Sequence, residues 1–387
     1  MSFRVFSSFT PVMLTMLLHS SVATAKPTAS VSKLDPGSLK AHFKGLGYKT
    51  RGGIDRGKSS SNSSHFRSMP HFSSAFIANG QIYPYTMVGN SPTSNGTVQL
   101  KSVIVPLRMQ FVYFGDGSVN VSFDPAKALT SILNSPIYND ASFPNGVGQF
   151  GDQLQRATFW NKMDSSHNWH VKMNNPRVVA PINIEVTPET GALYQDSLGN
   201  FFGDVLFDFM DAQIQTIVQL ANIAPDEVPI FVTQNVTAEA LGYHTAFSIL
   251  NSDSTETLQT AIYTSWLDPD LVDPLFADIS TLNHEQGEWL NDPFINNIVP
   301  TWMYPPASDP RTVCSQNPFL EVGDPQGNGP TFDDFPTYVV TVNGMVYHLQ
   351  QVVMLPWFAD EVPSSAQNGW YTFPMPTYLK APAVYCQ

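Results

Sequence analysis

Five consecutive residues, His284-Glu285-Gln286-Gly287-Glu288, carry the most legible chemistry in this chain. Residues four apart stand one above the other on a helix, so His284 and Glu288 can hold one divalent ion between them. Glu285 then takes the second position of an H-E-x-x-E pattern, where a carboxylate removes a proton from a metal-activated water. Glutamate in place of a second histidine is an acceptable zinc ligand but a harder one, which keeps other divalent ions open beside zinc. The plain alternative is a hydrated glutamate pair next to a histidine on an ordinary helix.

The element that must present these groups is a helix over residues 273–293. Asp273 is a fitting N-cap with Pro274 in the first helical position, and Pro293 disfavours continuation past Asp292. Leu275, Ile279 and Leu282, with Phe276 beside them, recur at helical spacing and predict one face in a core.

Two ligands on one helix need at least one more. Downstream, Leu320-Glu321-Val322-Gly323-Asp324-Pro325 sets two carboxylates beside a glycine in a turn; upstream, Gly242-Tyr243-His244 opens a strand. Each has a plainer reading. His244 can be a hydrogen-bonded core histidine, Asp292 a helix stop, and Glu321 and Asp324 shapers of a turn. His167 and His170 are a second pair, but three apart in a strand they point to opposite faces and read as structural or substrate-lining.

Around these lies an alternation of strands and helices. Residues 98–114 and 119–123, separated by Gly115-Asp116-Gly117, read as a hairpin, and so do 337–342 and 345–354 around Asn343-Gly344. Strands are expected at 169–173, 178–186, 228–236, 243–250 and 260–266, and helices at 125–133, 151–163 and 204–223. The expected class is α+β: a mixed sheet with additional hairpins and the metal-motif helix against it. Zinc peptidases of the zincin type are similar in this arrangement, with a substrate-receiving edge strand.

Residues 1–25 read as a secretory signal: Arg4, an apolar run over 12–18, and a small-residue cleavage site at Ala23-Thr24-Ala25. No stretch reaches the roughly 18 uninterrupted apolar residues of a membrane span, so a secreted, extracellular protein is expected. Residues 26–68 are a basic Ser/Gly-rich leader of net charge +7, read as a disordered solubilising tail or as a pro-segment seated on the acidic remainder. Residues 69–387, net charge −21, are expected to form a single large domain, and their charge excludes nucleic acid as a natural partner. With two cysteines only, Cys314 and Cys386 are expected to form one disulfide. Asn62, Asn95, Asn120 and Asn235 lie in glycosylation sequons. No nucleophile-elbow or phosphate-loop motif occurs.

The triplet Gly242-Tyr243-His244, then His284-Glu285-x-x-Glu288 with Asp292-Pro293, then Glu321-x-Gly323-Asp324, resembles the phosphate-induced protein 1/EXORDIUM family of secreted plant proteins and related microbial proteins. The resemblance covers about residues 240–325. The cysteines that the plant family carries near the triplet and after the acidic turn are missing here. The resemblance implies a zincin-like, metal-binding extracellular domain. With it, Glu321 is the preferred third ligand, Asp324 or Asp292 next, and His244 a ligand or a donor to the bound water. The expected function is zinc-dependent hydrolysis of a peptide or protein substrate, with Glu285 as base and Tyr243 or His244 assisting the oxyanion. The competing expectation is a non-catalytic extracellular or cell-wall-associated binding protein with a structural ion.

Overall fold

A computed structural model describes residues 30–35, 38, 42, 68–163, 167–250, 256–269, 271, 276–305, 307–327, 337–376 and 379–386. The expected signal segment, most of the expected leader, Asn62 and the expected cap Asp273-Pro274 lie outside these residues.

In chain order, the hairpin β1 (His71–Ala78) and β2 (Gln81–Val88) precedes the long strand β3 (Gly96–Phe114) and its antiparallel partner β4 (Val119–Phe123). Helices α1 (Ala126–Asn134) and α2 (Phe150–Thr158) lead to β5 (Trp169–Met173) and β6 (Ile182–Val186). The hairpin β7 (Gly191–Gln195) and β8 (Phe201–Val205) runs into α3 (Phe207–Leu220). Then come β9 (Glu227–Gln234), β10 (Gly242–Leu250), β11 (Glu256–Trp266) and α4 (Ser280–Asn291), which carries the H-E-x-x-E residues. The one-turn α5 (Asp324–Gly327) precedes the hairpin β12 (Tyr338–Val342) and β13 (Met345–Leu349).

The main sheet is mixed. Strands β6, β3, β9 and β11 run parallel in that order, and β10 closes the path antiparallel to β11. Such a sheet must be covered on both faces, and its strands are apolar on both. Along β9, Val228, Ile230 and Val232 enter the core under α4, while Phe231 enters the opposite core under α3. Pro106, in the middle of β3, has no N–H to give. It falls in the gap between the pairs Ile104↔Val178 and Leu107↔Ile182, where no partner residue is paired with it on that side.

Three sequence expectations need correcting. The expected strand at 178–186 is interrupted, with only Arg177–Val178 and Ile182–Val186 paired to β3. Val205 belongs to β8, and α3 starts at Phe207, whose N–H donates to the Glu239 carboxylate at 2.9 Å, a partner 32 residues away. The motif helix starts at Ser280 because Asp278 takes a left-handed φ of 47°. The Asp278 carboxylate holds that reversal, accepting the N–H of Ile279 at 2.5 Å and of His348 at 3.1 Å. Every residue of α4 is buried, so it is an internal helix rather than one with a wet face.

Within the leader, Ser32–Lys33 add a short parallel strand to β7, and His42 packs 4.6 Å from the Tyr194 ring and 5.4 Å from that of Phe202. Cys314 and Cys386 form the disulfide, closing 72 residues of chain. Asn95 and Asn120 are exposed; Asn235 is half-buried, its amide donating to Asp268 at 2.8 Å. Among the described residues no helix is long and apolar enough to cross a membrane.

Candidate metal centre

Helix α4 lies across β10 and β11, pinned by the Trp289 indole donating to Thr260 Oγ1 at 3.0 Å. Period-2 alternation along β10 sends Gly242 and His244 toward α4 and Tyr243 to the opposite face. Gly242 is required here: a Cβ would stand 2.9 Å from Glu285 Cγ and 2.6 Å from Thr281 Cγ2. The downstream acidic turn closes the other side. Gly323 and Asp324 donate their N–H groups to Glu288 Oε1 at 3.2 Å each, and a Cβ on Gly323 would overlap the His284 ring.

His244, His284, Glu285, Glu288, Glu321 and Asp324 thereby meet in one place, each no more than 5% exposed. His284 Nε2 lies 3.0 Å from Glu288 Oε1 and 3.8 Å from Asp324 Oδ1. His244 Nδ1 lies 3.6 Å from both Glu285 Oε2 and Glu288 Oε2, and its Nε2 is 3.7 Å from Glu321 Oε2. Two donor sets, each with its atoms within 4.8 Å of one another, are close enough to hold an ion: His284-Glu285-Glu288 and His244-Glu288-Glu321.

The hydrogen bonds fix both imidazoles. His244 Nε2 sits 3.1 Å from the Asp292 carbonyl, which can only accept, so Nε2 carries the proton and Nδ1 turns its lone pair to two carboxylates. The Gln350 amide donates its Nε2 to the Gly323 carbonyl at 2.9 Å, which leaves its Oε1 to accept from His284 Nδ1 at 2.9 Å. His284 Nε2 then turns its lone pair to Glu288 and Asp324. Lone pairs aimed at carboxylates repel unless a cation lies between, and one ring nitrogen tied to a carbonyl is how metal-binding histidines are held.

Burial, with the nearby Glu288 and Asp324 charges, pushes the Glu285 carboxyl well above the usual range, and burial with Glu288, Asp292 and Asp324 does the same to Glu321. Burial also raises Glu288, but the attraction of His284 and His244 outweighs it and the group ends below its ordinary value. Burial lowers His244 against the opposing pull of Glu288. A divalent ion fits this donor set on a further observation. Both oxygens of Glu285, both of Glu321 and His244 Nδ1 are buried without a hydrogen-bond partner of normal geometry.

One expected site residue is placed elsewhere. Tyr243 packs with its ring centroid 4.4 Å from that of Phe207 and 5.2 Å from that of Tyr263 in the core under α3, so the sheet separates it from the cluster. The Asp292 carboxylate accepts from Asn296 and Asn297 N–H groups at 3.0 and 3.1 Å, shaping the turn after α4, while its backbone carbonyl meets His244 and its charge acts on Glu321. Glu321 lies beside His244, and Asp324 is the carboxylate next to His284 Nε2. His170 pairs with buried Asp152 at 2.8 Å and is not part of either donor set. Gln350 was not among the expected residues. Its only sequence cue is a position just past the hairpin marked by Asn343-Gly344.

The chain matches no protein-family model, no curated protein and no solved structure. The fold and the cluster therefore define a class from geometry alone: a mixed α+β fold with a buried histidine–carboxylate cluster whose donor atoms are close enough to hold a metal ion.

Proposed function

We propose that this chain is a secreted metal-dependent hydrolase of zincin-like construction, acting on peptide bonds, in keeping with its resemblance to the phosphate-induced protein 1/EXORDIUM proteins. The observation that carries the proposal is the pair of buried imidazoles, each with one nitrogen tied to a carbonyl and the other aimed at carboxylates. His284, Glu288 and Asp324, with His244 and Glu321 beside them, would hold a divalent ion; zinc is the first candidate, and the carboxylate-rich donor set also suits harder ions. Such an ion supplies Lewis-acid chemistry and lowers the pKa of water to near neutrality.

Glu285 is the proton acceptor. Its Oε2 lies 3.6 Å from His244 Nδ1, and burial, with the Glu288 and Asp324 charges, raises the basicity of its carboxyl. His244 is held through Nε2 by the Asp292 carbonyl, which leaves Nδ1 facing Glu285 and Glu288. Strand β10 ends the hydrogen-bonded path of the main sheet, the position at which an extended peptide adds to a sheet.

The test begins with metal content by elemental mass spectrometry, where His284→Ala should lose ions the wild type keeps. Glu285→Gln should abolish peptide hydrolysis with metal retained; undiminished turnover would remove Glu285 from the mechanism. One observation favours a second reading, a structural ion in an extracellular or wall-associated binding protein: every donor is buried. Stoichiometric metal with no cleavage across peptide libraries would select it.

A further inference from the structure

We infer that this centre is built for two divalent ions bridged by Glu288, an inference that rests on the metal-binding reading above. The two oxygens of Glu288 serve different histidines. Oε1 lies 3.0 Å from His284 Nε2, and Oε2 lies 3.6 Å from His244 Nδ1. The two donor sets share Glu288 and contain one imidazole each. On one side stand His284, Glu285 and Glu288, with Asp324 Oδ1 3.8 Å from His284 Nε2; on the other, His244, Glu288 and Glu321.

Four carboxyl groups, those of Glu285, Glu288, Glu321 and Asp324, meet two imidazoles in this space, enough donors for two ions that share Glu288. The bridging geometry also needs rigid support for Glu288. The N–H groups of Gly323 and Asp324 supply it at 3.2 Å each. Glu285, with Oε2 3.6 Å from His244 Nδ1, stays beside the bridge as the proton acceptor.

The experiment counts ions on the full secreted chain, stripped with chelator, reloaded with Zn²⁺ and passed into zinc-free buffer, by native and elemental mass spectrometry. Two ions per chain are expected, with His244→Asn and Asp324→Asn each retaining one. A single ion in the wild type, kept when His244 is replaced, overturns the inference but leaves the metal-binding reading standing. No bound ion removes both. Loading with Mn²⁺ decides the bridge without any variant: an exchange-coupled pair in the electron paramagnetic resonance spectrum supports it, and two uncoupled Mn²⁺ signals overturn it.

Discussion

Replacing Gly323 by alanine tests how tightly the acidic turn is fitted to the His284 ring. The backbone permits alanine, since Gly323 does not occupy the left-handed region. Space does not: the new Cβ would stand 2.4, 2.5 and 2.7 Å from His284 Nδ1, Cε1 and Cγ. Ordinary contact begins at 3.4 Å, so the ring must retreat by about 1 Å. It cannot do so freely, because Gln350 holds Nδ1 at 2.9 Å and is itself bonded to the Gly323 carbonyl. Overpacking costs about 1–3 kcal/mol and a lost hydrogen bond adds about 1 kcal/mol, so a destabilisation of roughly 2–4 kcal/mol is expected. Displacing an orienting contact should also weaken metal binding by about 10–100-fold. Urea unfolding with and without Zn²⁺, and competition against a chelating dye, measure the two effects. Gly287→Ala is the internal control. Its Cβ would meet Val322, Leu154 and Val352 at 3.5–3.6 Å, ordinary contact, so removing a mid-helix glycine should stabilise by about 0.5–1 kcal/mol. A Gly323→Ala protein within about 0.5 kcal/mol of wild type, with unchanged affinity, would refute the packing argument.

Gln350→Ala should leave the fold intact and reduce metal affinity by about 10–100-fold, read by dye competition; unchanged affinity would mean that Gln350 does not set the His284 ring. In the chelated protein Glu285 and Glu321 keep protons that the unfolded chain has released, so their contribution is present below the ordinary value of 4.5 and is lost as pH rises through their folded values. The opposing contributions of lowered Glu288 and His244 are complete above 4.5 and 6.5 respectively. Stability of the chelated protein should therefore fall as pH rises above 6.5, and the rise in Tm on adding Zn²⁺ should grow; an increment that shrinks counts against the site. Cys314→Ser with Cys386→Ser should cost about 4 kcal/mol, the loop entropy of a 72-residue closure, measurable as a lowered urea midpoint.

Much of this architecture was legible because its signals are local. The apolar run of β3, the turn at residues 115–117 and Asn343-Gly344 each announce an element in a few residues. What the sequence hid depends on partners far along the chain. Helix α3 begins where Glu239 reaches back to Phe207, and α4 begins where Asp278 meets His348. The hairpin β7–β8 was missed because its residues alternate weakly and its inner side is covered by Phe111, which packs so closely on Gly203 that a Cβ there would fall 2.3 Å from the ring. At the centre, His284, Glu285 and Glu288 were readable from helical spacing. His244 and Tyr243, adjacent in sequence, could be separated only once the sheet showed which face turns to α4. The glycines tell a similar story: in sequence Gly242 opens a strand and Gly323 sits in a turn, and in the fold their absent side chains make room for Glu285 and His284.

The pairing of β10 with β11 sets Tyr243 opposite Tyr263 and His244 opposite Ile262. A slip of one residue in that edge strand would keep a hydrogen-bonded ladder yet exchange the two faces, driving a phenol into the acidic cluster and an imidazole among aromatic rings. Backbone spectroscopy would report such a molecule as folded. On the proposed metal-binding reading, bound metal counted per chain would not, so an ion would serve as a sensor of strand register and separate correctly aligned protein from a misaligned copy that shares nearly all of its secondary structure.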